Sequence, residues 1–175
     1  MLKITKNNKK IIDLLADYPS RRFFSKEISD KLKISLGGAH NSLKELVKQK
    51  MIFMEKKGNM KFFWINLRNP LVRQLRSAAA VEKLSRFIKK IEKCGKEIIL
   101  FGSASRGEQS AESDFDLFIL TNNSQEAREI IKREQKKLPI SAVIKTPGEW
   151  SEMEIKEPEF YLEVKRGIKL YEQTF

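Results

Sequence analysis

An α+β chain in successive parts is what this sequence predicts: a basic helical unit closed by a β-hairpin, a linking helix, and an α/β unit with a small mixed sheet. Three observations predict it. The apolar period changes from helical to extended after Lys50. A long helical stretch without a breaker follows Pro70. From Glu97 onward, short apolar strand-like runs alternate with helical ones, and the first two runs enclose a Gly-Ser turn and a pair of aspartates. The expected boundaries are 1–68, 69–95 and 96–175.

Charge separates these parts as clearly as periodicity does. The net charge is +12, but residues 1–95 hold 23 Lys or Arg against 8 Asp or Glu, and residues 96–175 hold 12 against 15. A basic half joined to a mildly acidic half suggests a polyanion-binding module attached to something else. The hydrophobic fraction of 41% supports a real core, and the charged residues are mixed among the apolar ones, unlike a disordered chain. Cys94 is the single cysteine, which excludes an intrachain disulfide and fits a reducing compartment. No apolar run approaches the ~20 residues of a membrane span. Met1 to Lys10 is polar and basic, with no apolar stretch behind it, and does not read as a secretory signal. The expectation is a cytoplasmic protein with no membrane partner.

In the first part, Asn8 to Tyr18 carries Ile11, Ile12, Leu14, Leu15 and Ala16 on a broad helical face, and Pro19 ends it. Ser25 is the expected cap of a second helix with Ile28, Leu32 and Ile34 on its apolar side. Ser35 is the expected cap of a third, with Leu36, Ala39, Leu43, Leu46 and Val47 at helical spacing. Short helix, tight turn and second helix is the helix-turn-helix layout. Ile52-Phe53-Met54 and Phe62-Phe63-Trp64-Ile65 then read as strands around the turn Glu55-Lys56-Lys57-Gly58-Asn59. A hairpin directly after the third helix makes the unit resemble a winged helix-turn-helix over about residues 5–68.

A helix that enters the major groove of DNA exposes polar residues on one face. The third helix has Gly37, Gly38, Asn41, Lys44, Glu45 and Lys48 there. Asn41 is suited to a base edge, Lys44 and Lys48 to phosphates, and Lys56 and Lys57 at the wing tip to a flanking phosphate or the minor groove. DNA is therefore the expected partner of this part; a protein-interaction role for the same fold is the alternative.

The linking helix is expected from Leu71 to about Lys93, with Gly95 as its C-cap residue. It either packs on its own domain or forms a homodimer contact.

In the last part, Glu97-Ile98-Ile99-Leu100-Phe101 is a short buried strand followed at once by Gly102-Ser103 and then Ala104-Ser105-Arg106-Gly107-Glu108. After a polar spacer, Ser113-Asp114-Phe115-Asp116 leads into Leu117-Phe118-Ile119-Leu120. Carboxylates at i and i+2 of a strand project to one face. Ser124 to Leu138 is an amphipathic helix, Pro139 to Lys145 a strand, and the tail a helix through Arg166 before a strand at Ile168-Lys169-Leu170-Tyr171.

Strand, Gly-Ser turn, spacer and D-x-D opening a second strand resembles the DNA polymerase beta-like nucleotidyltransferase superfamily, in particular its minimal branch, over roughly residues 96–172. The resemblance implies transfer of a nucleoside monophosphate from a nucleoside triphosphate, ATP being the expected one, with Mg²⁺ held by Asp114 and Asp116. Oxygen ligands suit that hard ion. Gly102, Ser103 and Arg106 would hold the phosphates. A third carboxylate is expected on the strand 139–145, which has no Asp or Glu; its place falls on Ser141 or Val143, and Glu149 is a possible substitute. Two functions stay open: a transferase acting on a macromolecule or partner protein, and a DNA-binding regulator or antitoxin whose transferase fold is weak or inactive.

Overall fold

The computed structural model describes residues 4–173. Met1 to Lys3, at the start of the expected first part, and Thr174-Phe175 at the end of the last lie outside the described residues. The chain divides into two compact units at Arg76/Ser77.

The first unit opens with α1 (Lys6–Asp17), capped by Thr5, whose hydroxyl accepts from the Asn8 N–H at 3.2 Å. Then come β1 (Phe23–Phe24), α2 (Ser25–Leu32), α3 (Leu36–Lys48), β2 (Ile52–Lys57) and β3 (Met60–Ile65). The three strands form an antiparallel sheet in the order β1-β3-β2. Three helices and a hairpin in this order make a winged helix-turn-helix arrangement.

Ser35 caps α3 as expected, accepting from Gly38 N–H at 3.1 Å. Ser25 does not cap α2: it is the first helical residue, and Phe24 stands at the N-cap without a side-chain bond. The reason is β1, which pairs Phe23 with Phe63 and Phe24 with Phe62, so that strand passes directly into helix. Between α2 and α3 the chain turns through Lys33 at φ 51°, and Ser29 Oγ donates to the Ile34 carbonyl at 2.7 Å. The hairpin turn is shorter than expected. Lys57 pairs with Met60, leaving only Gly58-Asn59 in the turn, with Gly58 at φ +59°. Both faces of β2 beyond Met54 are largely exposed, so Glu55, Lys56 and Lys57 can lie in the ladder. Ile11, Leu15, Phe23, Ile28, Leu43, Leu46, Met51 and Phe63 share one core with Val72.

Val72 lies on α4 (Pro70–Ile91). Asn69 Oδ1 caps it, accepting from the N–H groups of Leu71 at 2.9 Å and Val72 at 3.3 Å. Farther along, Ala80, Leu84, Phe87 and Ile91 belong to the core of the second unit. The segment that sequence set apart as a linker thus contributes to both cores. Gly95 does not cap this helix; it opens the next strand and pairs with Thr121.

The second unit contains β4 (Gly95–Phe101), α5 (Gly102–Ser105), β5 (Phe115–Thr121), α6 (Ser124–Glu134), β6 (Ile140–Lys145), α7 (Pro147–Lys156), α8 (Pro158–Lys165) and β7 (Ile168–Glu172). Its sheet runs β6-β5-β4-β7; β4 is antiparallel to both neighbours and β5 is parallel to β6. Alternation along the strands sorts the side chains into two layers. Ile98, Leu100, Phe115, Leu117 and Ile119 pack with α4 and α6. Ile99, Phe101 and Phe118 pack with Met153, Trp150, Phe160, Tyr161 and Val164 of α7 and α8. Trp150 lies between Phe118 and Tyr161, with ring centroids 4.3 and 4.4 Å away. Among the described residues, no helix is long and apolar enough to cross a membrane.

Candidate active site

The acids sit where β5 begins. Asp116 is the second residue of the strand and partly buried; Asp114 is exposed and precedes the strand by one position. The i, i+2 relationship therefore holds through the strand entrance rather than along a ladder. Phe115 between them faces the opposite layer, buried with α4 and α6, as the alternation requires.

Asp116 pairs across the sheet with Phe101 on one side and Ser141 on the other. Phe101 is the last residue of β4, so the next two residues, Gly102 and Ser103, turn away beside the Asp116 carboxylate. Gly102 has φ +66°, and a Cβ placed on it would stand 3.0 Å from Asp116 Cγ and overlap Oδ2. Only glycine allows this approach without displacing the acid. Burial, then the charge of Asp114, then that of Glu163, raise the Asp116 carboxyl above its ordinary value, and Arg106 opposes them. Two carboxylates that repel each other in this way offer hard oxygen ligands whose repulsion a divalent cation would relieve, so the residues fit Mg²⁺.

The register distinguishes the two residues on which the expected third acid falls. Ser141 stands directly beside Asp116, whereas Val143 pairs with Phe118 and packs in the aromatic layer. Glu149 is engaged elsewhere. Its carboxylate accepts from the Thr146 N–H at 2.7 Å and hydroxyl at 2.8 Å, closing a capping box at the start of α7. Those bonds hold its carboxyl below the ordinary value.

Arg106 is exposed, and its guanidinium is already engaged. Nε meets Glu108 at 3.0 Å and Nη1 meets Glu163 at 3.4 Å. Glu163 escaped sequence reasoning because it lies on α8, far along the chain, and nothing local marks it. Cys94 donates to the Ile91 carbonyl at 3.4 Å, and burial pushes its thiol up, the behaviour of a structural cysteine.

In the first unit, Asn41, Lys44 and Lys48 are exposed along α3, and Lys56 and Lys57 are exposed near the hairpin turn. Asn41 and Lys44 line a cavity of about 400 Å³ with His40, Ser25, Met54, Lys61 and Phe63. Lys48 lies outside that lining, and Lys57 approaches Glu55 at 4.0 Å. The structure adds Lys61, which pairs across the hairpin with Lys56. Like charges directly opposite each other are unfavourable in a sheet, and an anion would relieve the pair. The signal available in sequence was the two-residue turn, which fixes Lys56 opposite Lys61. Arg22, by contrast, is held against the Trp64 ring at 4.6 Å and pairs with Glu55.

Comparison with solved structures finds the zinc-responsive MarR family member ZitR of Lactococcus lactis, 22% identical over 53% of this chain and 64% of that one, at a TM-score of 0.40. The match therefore spans less than two thirds of that protein's length. The adhesin competence repressor AdcR of Streptococcus pyogenes is 23% identical over 52% of this chain and 68% of that one, at a TM-score of 0.40. Wild-type ZitR in complex with DNA matches at 22% identity over 53% and 63% of the two chains, with a TM-score of 0.40. No curated protein matches the chain. The nucleotidyltransferase domain family matches residues 81–167, a span that takes in β4, the Gly102-Ser103 turn, both aspartates, Ser141 and Glu163.

Proposed function

We propose that the second unit is a Mg²⁺-dependent nucleotidyltransferase that moves a nucleoside monophosphate from a nucleoside triphosphate, with ATP as the expected donor, to a macromolecular acceptor, and that the first unit binds DNA. The observation that carries the transferase reading is the close approach of Gly102 to the Asp116 carboxylate, with Asp114 at the same end of β5. A turn of the kind that cradles phosphates would then lie against Asp116 with no side chain on Gly102 between them. When bound to Asp114 and Asp116, Mg²⁺ would polarise phosphate oxygens and stabilise the charge that develops on them.

The remaining work falls to the chain's own groups. Gly102 and Ser103 offer backbone N–H groups and the serine hydroxyl to the phosphates. Arg106 adds a cation at the same end of the sheet. Phe101 and Phe118 back the acidic edge with apolar side chains, and the rigid β4–β5 ladder fixes the distance between turn and acids. The test is calorimetric titration with ATP, GTP, CTP and UTP, each with Mg²⁺, on the wild type and Asp116→Asn. Metal-dependent binding of one triphosphate, lost in the variant, supports the reading. Absence of binding by all four removes it.

A second reading has its own observation. Ser141 stands beside Asp116 where an acid was expected. That favours a DNA-binding regulator or antitoxin in which the fold binds nucleotide but transfers it poorly. Nucleotide binding without any labelled product is the mark of this case.

A further inference from the structure

Helix α8 brings a fourth charged group to the end of β5. Phe160 packs edge-on against Phe101 with ring centroids 5.4 Å apart, and Phe101 is the cross-strand partner of Asp116. Glu163 lies three residues further, on the same side of the helix as Phe160. The packing of one aromatic residue thus carries the Glu163 carboxylate to the acidic edge, where it meets Arg106 Nη1 at 3.4 Å. Glu108 holds Nε of the same guanidinium at 3.0 Å. Two acids therefore share the one cation assigned to the phosphates.

We propose that Glu163 is a positioning residue: it holds Arg106 when no nucleotide is present and yields it when a triphosphate enters. The inference rests on the transferase reading of this site. Two geometric facts fit an exchange. The guanidinium is gripped through different nitrogens, so it can keep Glu108 on Nε while its terminal nitrogens swing from Glu163 to a phosphate. Both members of the Arg106–Glu163 pair are about half exposed, at 52% and 46%. Exposed pairs are weak, whereas a planar guanidinium facing a phosphate gains paired, charge-assisted bonds. The exchange runs toward the nucleotide.

The experiment is calorimetric titration of Mg²⁺-ATP into the full chain as wild type, Glu163→Gln, Arg106→Ala and the double variant, with thermal unfolding of each. Glu163→Gln is expected to bind about two- to fivefold more tightly, as expected for release of an exposed pair. Arg106→Ala should bind about tenfold more weakly, and adding Glu163→Gln to it should change nothing further. Four results overturn the proposal: Glu163→Gln binding no more tightly than wild type, binding more weakly as a metal-holding acid would, an equal gain in the Arg106→Ala background as simple repulsion would give, or no binding by any of the four proteins. The last removes the transferase reading too. Wild-type binding with an idle Glu163 leaves that reading in place and removes only this one. The glutamine is isosteric and exposed, so unfolding temperatures of the wild type and Glu163→Gln should agree.

Discussion

Gly102 lies so close to Asp116 that no side chain fits between them: a Cβ at Gly102 would lie 3.2 Å from Asp116 Cβ and 3.0 Å from Cγ. The backbone there is left-handed, at φ +66°. Gly102→Ala must accept that strain and also push the carboxylate aside. The expected loss of stability is about 1–3 kcal/mol, measured by denaturant unfolding. Mg²⁺-nucleotide binding should fall with it, because the displaced acid is one of the two proposed to hold the metal.

Asp116 also has a pH signature. Its folded carboxyl binds a proton more readily than in the unfolded chain, chiefly through burial and the charge of Asp114. The acid therefore supports the fold below its ordinary value of 3.8 and costs stability as pH rises through the raised value. Asp116→Asn should melt at a higher temperature than wild type at neutral pH, and the difference should shrink as the solution is acidified toward 3.8. Thermal melts across this pH series test the sign; a variant that melts lower at neutral pH contradicts it.

Ser141 offers a gain-of-function test. It is exposed and stands in register beside Asp116. Ser141→Asp would supply the acid that the transferase resemblance led one to expect. Mg²⁺-dependent nucleotide affinity should rise about tenfold by calorimetry, and any labelled transfer product should increase. Unchanged affinity would show that the serine position is not read by the metal.

For the first unit, the double variant Lys44→Ala with Lys56→Ala should weaken DNA binding at every sequence tested. The slope of log affinity against log salt should drop by about two. Lys61→Ala alone should lower it by about one, because this lysine lines the cavity beside Lys44 and faces Lys56. Fluorescence anisotropy over a salt series measures both.

What was legible in sequence was local. Ser35 announces α3 through a cap that bonds three residues ahead, and Gly102-Ser103 and Asp114-x-Asp116 announce their turn and strand through residues side by side in the chain. What was illegible depends on pairing. A two-residue strand such as Phe23–Phe24 has no period to detect; only its partners on β3 define it. Gly95 looks like a helix cap until Thr121 is placed opposite it. Ser141 and Val143 are equivalent by alternation, and only the β5–β6 register separates them. Glu163 reaches the site because Phe160 packs on Phe101, a contact between distant segments that no spacing rule reveals.

The order of strands has a consequence for how the unit assembles. The central pair, β4 and β5, are successive strands whose connection holds only a short helix, so the ladder that carries Phe101, Gly102 and Asp116 can close early. The outer strand β7 reaches β4 only after every intervening element has been laid down, and distant pairings close late. During synthesis the acidic edge would thus be framed before α8 arrives, and Glu163 would be among the last groups to join it. Changes in α8 should therefore act mainly on how fast the finished unit comes apart, while changes in β4 or β5 should act on how fast it forms.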